Sequence, residues 1–211
     1  MRRSRDMRGA VEPFELIQGF LSNQEADELF AGLLEQAAWR TEHVQMFGRE
    51  VRSPRQVCWY GDSGVGYRYS GAEHRACGWL APLEALRARL QQDLQAQFNF
   101  ALLNRYNDHN DAMGWHADDE PELGREPVIA SLSLGATRTM LVRSAKKTPG
   151  VRRKSQSIEL EHGSLLMMRG VSQEDFQHSI PRCKAPCGAR VNLTFRQVQT
   201  DGASSQLCSV C

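Results

Sequence analysis

Between residues 98 and 198 the chain carries seven short, extended, apolar-rich segments, each bounded by turn-forming residues. They fall at 98–106, 128–134, 138–142, 157–161, 164–168, 176–180 and 190–198. Many short strands in succession predict an antiparallel, double-sheet jelly roll, which is a double-stranded β-helix. Two amphipathic helices precede them. Ser22-Asn-Gln-Glu25 is a capping box that opens a helix with Ala26, Leu29, Phe30, Leu33, Leu34 and Ala37 at helical spacing. The second starts at Pro82 and runs to about Gln97, with Leu83, Leu86, Leu90 and Leu94 on one face. Both are expected to buttress one outer face of the sheets. The fold class is therefore mainly β with flanking helices. Short extended segments and glycine-containing turns are expected between the helices, over residues 39–70.

At 211 residues, with no internal repeat and no linker-like stretch, one compact domain is expected over 13–198, its jelly-roll core at about 98–198. Residues 1–12 read as a flexible basic arm and 199–211 as a cysteine-containing tail. The net charge of +1 argues neither for nor against a polyanionic partner. Its distribution says more: Arg2, Arg3, Arg5 and Arg8 crowd the start, and Arg143, Lys146, Lys147, Arg152, Arg153 and Lys154 share one acid-free stretch. Such blocks grip phosphates or simply form solvated loops. No apolar run approaches a membrane span and no signal-peptide core follows the basic start. A cytoplasmic monomer is expected, nuclear if the source is eukaryotic. Six cysteines in a chain with its own core are expected to be reduced thiols.

The chemistry-bearing residues cluster late. His116 and Asp118 are two apart, so on extended chain their side chains project to one side, and His178 arrives from a distant strand. Two imidazoles and a carboxylate on one face of a metal suit non-haem Fe(II), which must bind a cosubstrate and O₂ side by side. Alternation along the last strand puts Arg190, Asn192, Thr194 and Arg196 on one face and Val191, Leu193 and Phe195 on the other. Two arginines facing a sheet interior require anionic partners, and a dicarboxylate such as 2-oxoglutarate supplies them. The alternatives are an edge strand with a wet polar face, and a structural zinc at His116, Asp118 and His178 that leaves the arginines without a role.

Taken in order, Asn104-Arg-Tyr106-Asn-Asp108, His116-Ala-Asp118-Asp119-Glu120, His162-Gly163-Ser164-Leu-Leu-Met-Met, His178-Ser179 and Arg190-Val-Asn192-Leu-Thr-Phe-Arg196 resemble the AlkB family of nucleic-acid dealkylating dioxygenases. The resemblance covers roughly residues 50–198. It implies Fe(II) held by His116, Asp118 and His178. It further implies 2-oxoglutarate contacts from Asn104, Tyr106, Arg190 and Arg196 with Asn192 beside them, Arg190 being favoured for the distal carboxylate. The implied reaction hydroxylates an N-methyl carbon with O₂ as cosubstrate, and the hemiaminal then releases formaldehyde.

A methyl group on a base-pairing nitrogen is hidden in a duplex, so the base must be flipped out. The resemblance makes residues 39–75 a nucleotide-recognition region. Tyr67-Arg-Tyr69-Ser70-Gly71 matches a family segment in which Tyr69 stacks on the base, while Tyr67 and Glu120, helped by Asp119, contact its edge. Met46, Phe47 and Gly48 resemble the duplex wedge of the double-strand-preferring branch, with Pro54-Arg55 close behind. Double-stranded DNA bearing 1-methyladenine or 3-methylcytosine is thus the expected substrate. The same chemistry on single-stranded DNA or RNA, and a binding module without catalysis, stay open as alternatives. Beyond the resemblance, Cys183, Cys187, Cys208 and Cys211 have spacings that could hold a structural zinc, although unpaired thiols are the preferred expectation.

Overall fold

A computed structural model describes residues 13–46, 49–69, 72–147, 149–150 and 152–199. Its architecture follows from the alternation of the late strands. Strand β13 (Arg190–Arg196) lies between β6 (Phe100–Tyr106) and β8 (Ile129–Gly135), antiparallel to both. Around this centre a seven-stranded sheet takes the order β1-β11-β8-β13-β6-β3-β2. Its other members are β1 (Phe14–Ile17), β2 (Arg40–Met46), β3 (Arg49–Gly61) and β11 (Leu165–Met168). A four-stranded sheet, β10-β9-β12-β7, faces it. It is built from β7 (Met113–His116), β9 (Arg138–Ser144), β10 (Ser155–Leu160) and β12 (Phe176–Ile180). A separate hairpin pairs β4 (Gly66–Tyr69) with β5 (Ala72–Arg75).

The apolar edge of each pleat decides where the layers go. Val191, Leu193 and Phe195 on β13, with Ala101, Leu103, Leu132 and Leu134 on its neighbours, form the outer face of the large sheet. Helices α1 (Asn23–Gln36) and α2 (Ala81–Leu94) cover that face with Ala26, Leu33, Leu83, Leu86, Leu90 and Leu94. The predicted capping box is formed: Ser22 Oγ accepts from the Glu25 amide, and the Glu25 carboxylate accepts from the Ser22 amide at 2.8 Å. Helix α2 stops three residues short of Gln97, because Gln95 turns into the left-handed region at φ 50°. Gly135 closes β8 at φ 84°, where any Cβ would lie 2.4 Å from the Ala189 carbonyl oxygen. Among the described residues no helix is long and apolar enough to cross a membrane.

The region between the helices differs from expectation. Instead of short extended pieces, β3 runs for 13 residues and its hairpin with β2 extends the large sheet. Pro54 obscures this in the sequence, since proline cannot donate to a ladder. It sits where the β2 register shifts between Thr41 and His43, and pairing with β6 begins only at Gln56. A bulge absorbs the missing donor. Strands β1 and β7, four residues each, are too short for a periodicity to reveal.

Leu90 is fully buried between α2 and the large sheet. Leu90→Ala is expected to lower stability by about 2–5 kcal/mol in urea unfolding, through lost transfer energy and the cavity left behind. An effect below that range would mean that α2 is not held by this face.

Candidate metal and cosubstrate site

The polar face of β13 opens into the space between the two sheets. Arg190, Asn192, Thr194 and Arg196 line one cavity with Leu102, Asn104 and Tyr106 of β6, Ser131 of β8, and His116, Asp118 and His178. Register explains the grouping: Arg190 stands opposite Tyr106, and Asn192 stands between Asn104 and Ser133. From the facing sheet, His116 and His178 are direct partners across the β7–β12 ladder, their ring centroids 4.1 Å apart. Asp118 lies just beyond β7, and one ligand atom from each of the three residues falls within 4.8 Å of the others.

Each ligand is oriented by a neighbour. His116 Nδ1 donates to the Gly114 carbonyl oxygen at 2.9 Å, because a carbonyl can only accept; Nε2 therefore keeps its lone pair for a metal. The Asp118 amide donates to Gln173 Oε1 at 2.9 Å, and Gln173 in turn donates to Ser172 Oγ at 3.2 Å and toward Met168 Sδ. Arg196 lies 3.6 Å from the Asp118 carboxylate. Burial alone would raise the Asp118 carboxyl, yet Arg196, His178, His116 and Arg55 together hold it below the usual carboxylate range. It is a carboxylate with a low dielectric around it, which is the form a divalent cation needs.

The arginines differ in how far the protein satisfies them. Arg196 donates to the Tyr67 hydroxyl, which passes a hydrogen bond on to Glu120. Burial pulls the Arg196 guanidinium down, but Tyr67, Asp118 and Glu120 outweigh it and raise the group. Arg190 is 1% exposed and donates to Ser133 Oγ at 3.0 Å, while Nε and Nη1 meet no hydrogen-bond partner among the described residues. Burial brings it down to about 10, so it remains a cation at neutral pH. Tyr106 is flanked by two guanidinium groups, Arg190 and Arg138, each 5.3 Å from its ring centroid. Asn192 is fixed by Ser131 Oγ at 2.8 Å and the Leu132 carbonyl at 3.0 Å. Asn104 Oδ1 accepts from Arg55 Nε at 2.7 Å. A buried guanidinium with two donors unmet among the described residues fits a bound anion.

A groove beside the triad is lined by Arg55, Met113–Ala117 and Glu120. Tyr67 is wholly buried beneath Arg196, whereas Asp119 is exposed. Tyr69 belongs to β4, and Ser70, Phe47 and Gly48 lie outside the described residues, as do Cys208 and Cys211. Cys183 and Cys187 lie together in the loop between β12 and β13.

Comparison with known proteins agrees with this geometry. Residues 13–196 match the model of the 2OG-Fe(II) oxygenase superfamily. The DNA oxidative demethylase ALKBH2 of Homo sapiens is 39% identical over 180 residues, covering 82% of this chain and 69% of that protein. The chain belongs to the AlkB family of 2OG-Fe(II) oxygenases. The alpha-ketoglutarate-dependent dioxygenase alkB homolog 3 of Mus musculus is 38% identical over 192 residues, 88% of this chain and 66% of that protein. The chain thus spans a little less than two thirds of the alkB homolog 3 length. Among solved structures, OsALKBH1 matches with a TM-score of 0.63, covering 87% of this chain and 97% of its own at 19% identity, a likeness of fold. Membership of this family implies Fe(II) and 2-oxoglutarate, and the His116, Asp118 and His178 donor set fits the metal.

Ser131, Ser133, Gln173 and Arg138 were not singled out in the sequence. The two serines had a signal, a two-residue spacing inside an apolar strand; Gln173 had none. Gln173→Leu keeps the volume but leaves the Asp118 amide unpaired. Titration with Co(II) is expected to show about 10- to 100-fold weaker metal binding, as for other partners of metal ligands. Unchanged affinity would assign Gln173 to packing alone.

His178 gives a pH signature. Burial first, then His116, pushes its imidazole down from 6.5 to about 4. The unfolded chain therefore accepts a proton that the metal-free folded chain resists. Stability from this group is fully present above pH 6.5 and is lost as pH falls toward 4, by roughly 3 kcal/mol. Urea unfolding of the metal-free chain across that window should show the loss, and His178→Asn should flatten it. An unaltered slope in the variant would place the titration elsewhere.

Proposed function

We propose that the chain is an Fe(II)- and 2-oxoglutarate-dependent demethylase of N-alkylated nucleobases, acting on 1-methyladenine and 3-methylcytosine in double-stranded DNA. One observation carries this reading: a single cavity joins a two-histidine, one-carboxylate donor set to Arg190, whose buried Nε and Nη1 meet no hydrogen-bond partner among the described residues. A structural zinc would not account for that guanidinium. The names of the relatives agree, since ALKBH2 is described as a DNA oxidative demethylase.

In this reading His116, Asp118 and His178 hold Fe(II). Arg190 takes the distal carboxylate of 2-oxoglutarate, and Asn104, Tyr106, Asn192 and Arg196 complete its site. Iron, 2-oxoglutarate and O₂ together supply hydroxylation of the N-methyl carbon, with succinate and CO₂ as products. The protein fixes geometry and excludes water. Arg196 keeps Asp118 ionised, Gln173 holds its backbone, and the Ser131 and Ser133 hydroxyls aim Asn192 and Arg190. The product hemiaminal then loses its hydroxyl proton to solvent and breaks its carbon–nitrogen bond, so that formaldehyde leaves and the electron pair stays on the base nitrogen.

The flipped base would enter the groove by Arg55, Trp115 and Glu120, stacking on Tyr69 opposite His116. Tyr67 would position Glu120 for the base edge, with Asp119 and Ser70 at its margin. Met46, the last residue of β2, and Phe47 and Gly48, which fall between β2 and β3 in the sequence, would fill the gap in the duplex. Basic residues beside this groove would meet the phosphates. Arg143 lies over the Trp115 ring at 3.9 Å, and both Arg143 and Arg153 donate to Gln177 Oε1.

The test is lesion-dependent release of formaldehyde and succinate, with 1-methyladenine presented in duplex and in single-stranded DNA. Turnover that favours the duplex is expected, and Asp118→Ala should abolish it. Phe47→Ala should reduce duplex turnover by about tenfold or more while sparing single strands, since unstacking is worth a few kcal/mol. Equal loss on both forms would remove the wedge, and turnover confined to RNA would replace the DNA reading.

A further inference from the structure

The loop from Pro181 to Ala189 joins the strand of His178 to the strand of Arg190, and it carries two thiols that the oxygenase chemistry does not use. Cys187 Sγ–H donates to Cys183 Sγ at 3.2 Å, and both residues are half-buried. The loop is fastened at both ends. Arg138 Nη2 donates to the Pro181 carbonyl at 2.7 Å, the Cys183 amide to the His109 carbonyl at 2.9 Å, and the Ala136 amide to the Ala189 carbonyl at 2.9 Å. These anchors hold the sulfurs in register, while Gly188 has open space around its Cα. A disulfide, at about 2.0 Å, requires the sulfurs to close by only roughly 1 Å.

The surroundings treat the two sulfurs differently. Burial first, and then the contact with Cys183, raise the Cys187 thiol, which Arg138 opposes only in part, whereas Arg182 and Lys184 flank Cys183 on the exposed side of the loop. Thiolates beside cations and open to solvent are the reactive ones. The shared hydrogen also sets an order: Cys187 keeps its proton by giving it to Cys183 as a hydrogen bond, so Cys183 is the sulfur that attacks first.

We infer that Cys183 and Cys187 are a reversible dithiol–disulfide site whose oxidant is a peroxide. The Cys183 thiolate attacks one peroxide oxygen, the O–O bond breaks, and the other oxygen leaves as water after protonation. Cys183 is then a sulfenic acid. Cys187 sulfur attacks the Cys183 sulfur, the S–O bond breaks, and a second water departs. In sum, two thiols and one hydrogen peroxide give one disulfide and two waters. Neither cysteine lines the cavity of His116, Asp118 and His178, and the dithiol chemistry does not depend on the demethylase reading.

The experiment uses the full chain, reduced and freed of metal, and exposed to about one molar equivalent of hydrogen peroxide, the amount one dithiol consumes. Free thiols are then alkylated and the chain is cut after Lys184, so that a 183–187 disulfide holds two peptides together. The expected result is that linked pair, about 2 Da lighter than the sum of its thiol forms. It should revert with dithiothreitol, and the exposed Cys77 should still be alkylated in the same sample. Cys183→Ser should give no link and leave Cys187 alkylated. Four results would overturn the inference: both thiols alkylated as fully as Cys77; sulfinic acid at Cys183 without a disulfide; links to Cys208 or Cys211 instead; or zinc in the untreated protein that Cys183→Ser removes, which marks a thiolate metal site.

Discussion

A central strand with two arginines on its inner face is the constraint around which this structure is arranged. Strand β13 is paired on both sides, so Arg190, Asn192, Thr194 and Arg196 cannot reach solvent by fraying or twisting away. An unpartnered buried guanidinium is far too unfavourable to survive in a dry core. The neighbouring strands therefore supply acceptors at matched registers: Ser133 for Arg190, Ser131 and the Leu132 carbonyl for Asn192, the Leu102 carbonyl for Thr194. Arg196 recruits Tyr67 and Asp118. What these partners leave unsatisfied points to the ligand. Arg190 lines the same cavity as the His116, Asp118 and His178 donor set, so its remaining donors and the metal ligands face one chamber.

The parts of this arrangement legible in the sequence are those governed by alternation and by caps. Seven late strands, the capping box at Ser22 and the split of β13 into polar and apolar faces could be read because each is a local pattern with a period. Strand β3 escaped because Pro54 breaks its pattern, and a bulge then repairs the ladder in a way that only the pairing partner reveals. Gln173 and Arg138 escaped for a different reason. Their importance comes from where distant segments are brought, 55 residues away in the contact of Gln173 with Asp118. No spacing encodes that.

Tyr67 shows how a resemblance and a structure inform each other. As one of two aromatics in a short strand it reads as part of a base-recognition surface. In the fold its ring is fully buried against Phe100 and beneath the Arg196 guanidinium, and its hydroxyl is burial-raised and committed to Arg196 and Glu120. It links the metal side of the cavity to the groove side. Burial raises the Glu120 carboxyl as well, and Tyr67 and Arg196 only partly oppose that. The groove therefore presents a carboxyl with raised proton affinity beside a metal-side carboxylate with lowered affinity, two acids set apart by their surroundings.

That separation depends on the two sheets staying in register. Asp118 follows an edge strand, β7, whose pairing with β12 is interrupted by an irregularity between His178 and Ile180. Left to that strand alone, its position would be loose. Gln173 clamps its amide from the segment before β12, and Arg196 holds its carboxylate from the opposite sheet. The donor set is thus braced from both layers of the jelly roll, and so is the loop that carries the dithiol, through Arg138 and His109. Arg138 joins these two regions: it stacks on Tyr106 at the cavity end and donates to the Pro181 carbonyl at the loop end. That loop is therefore one buried side chain away from Tyr106, which lines the cavity of His116, Asp118 and His178.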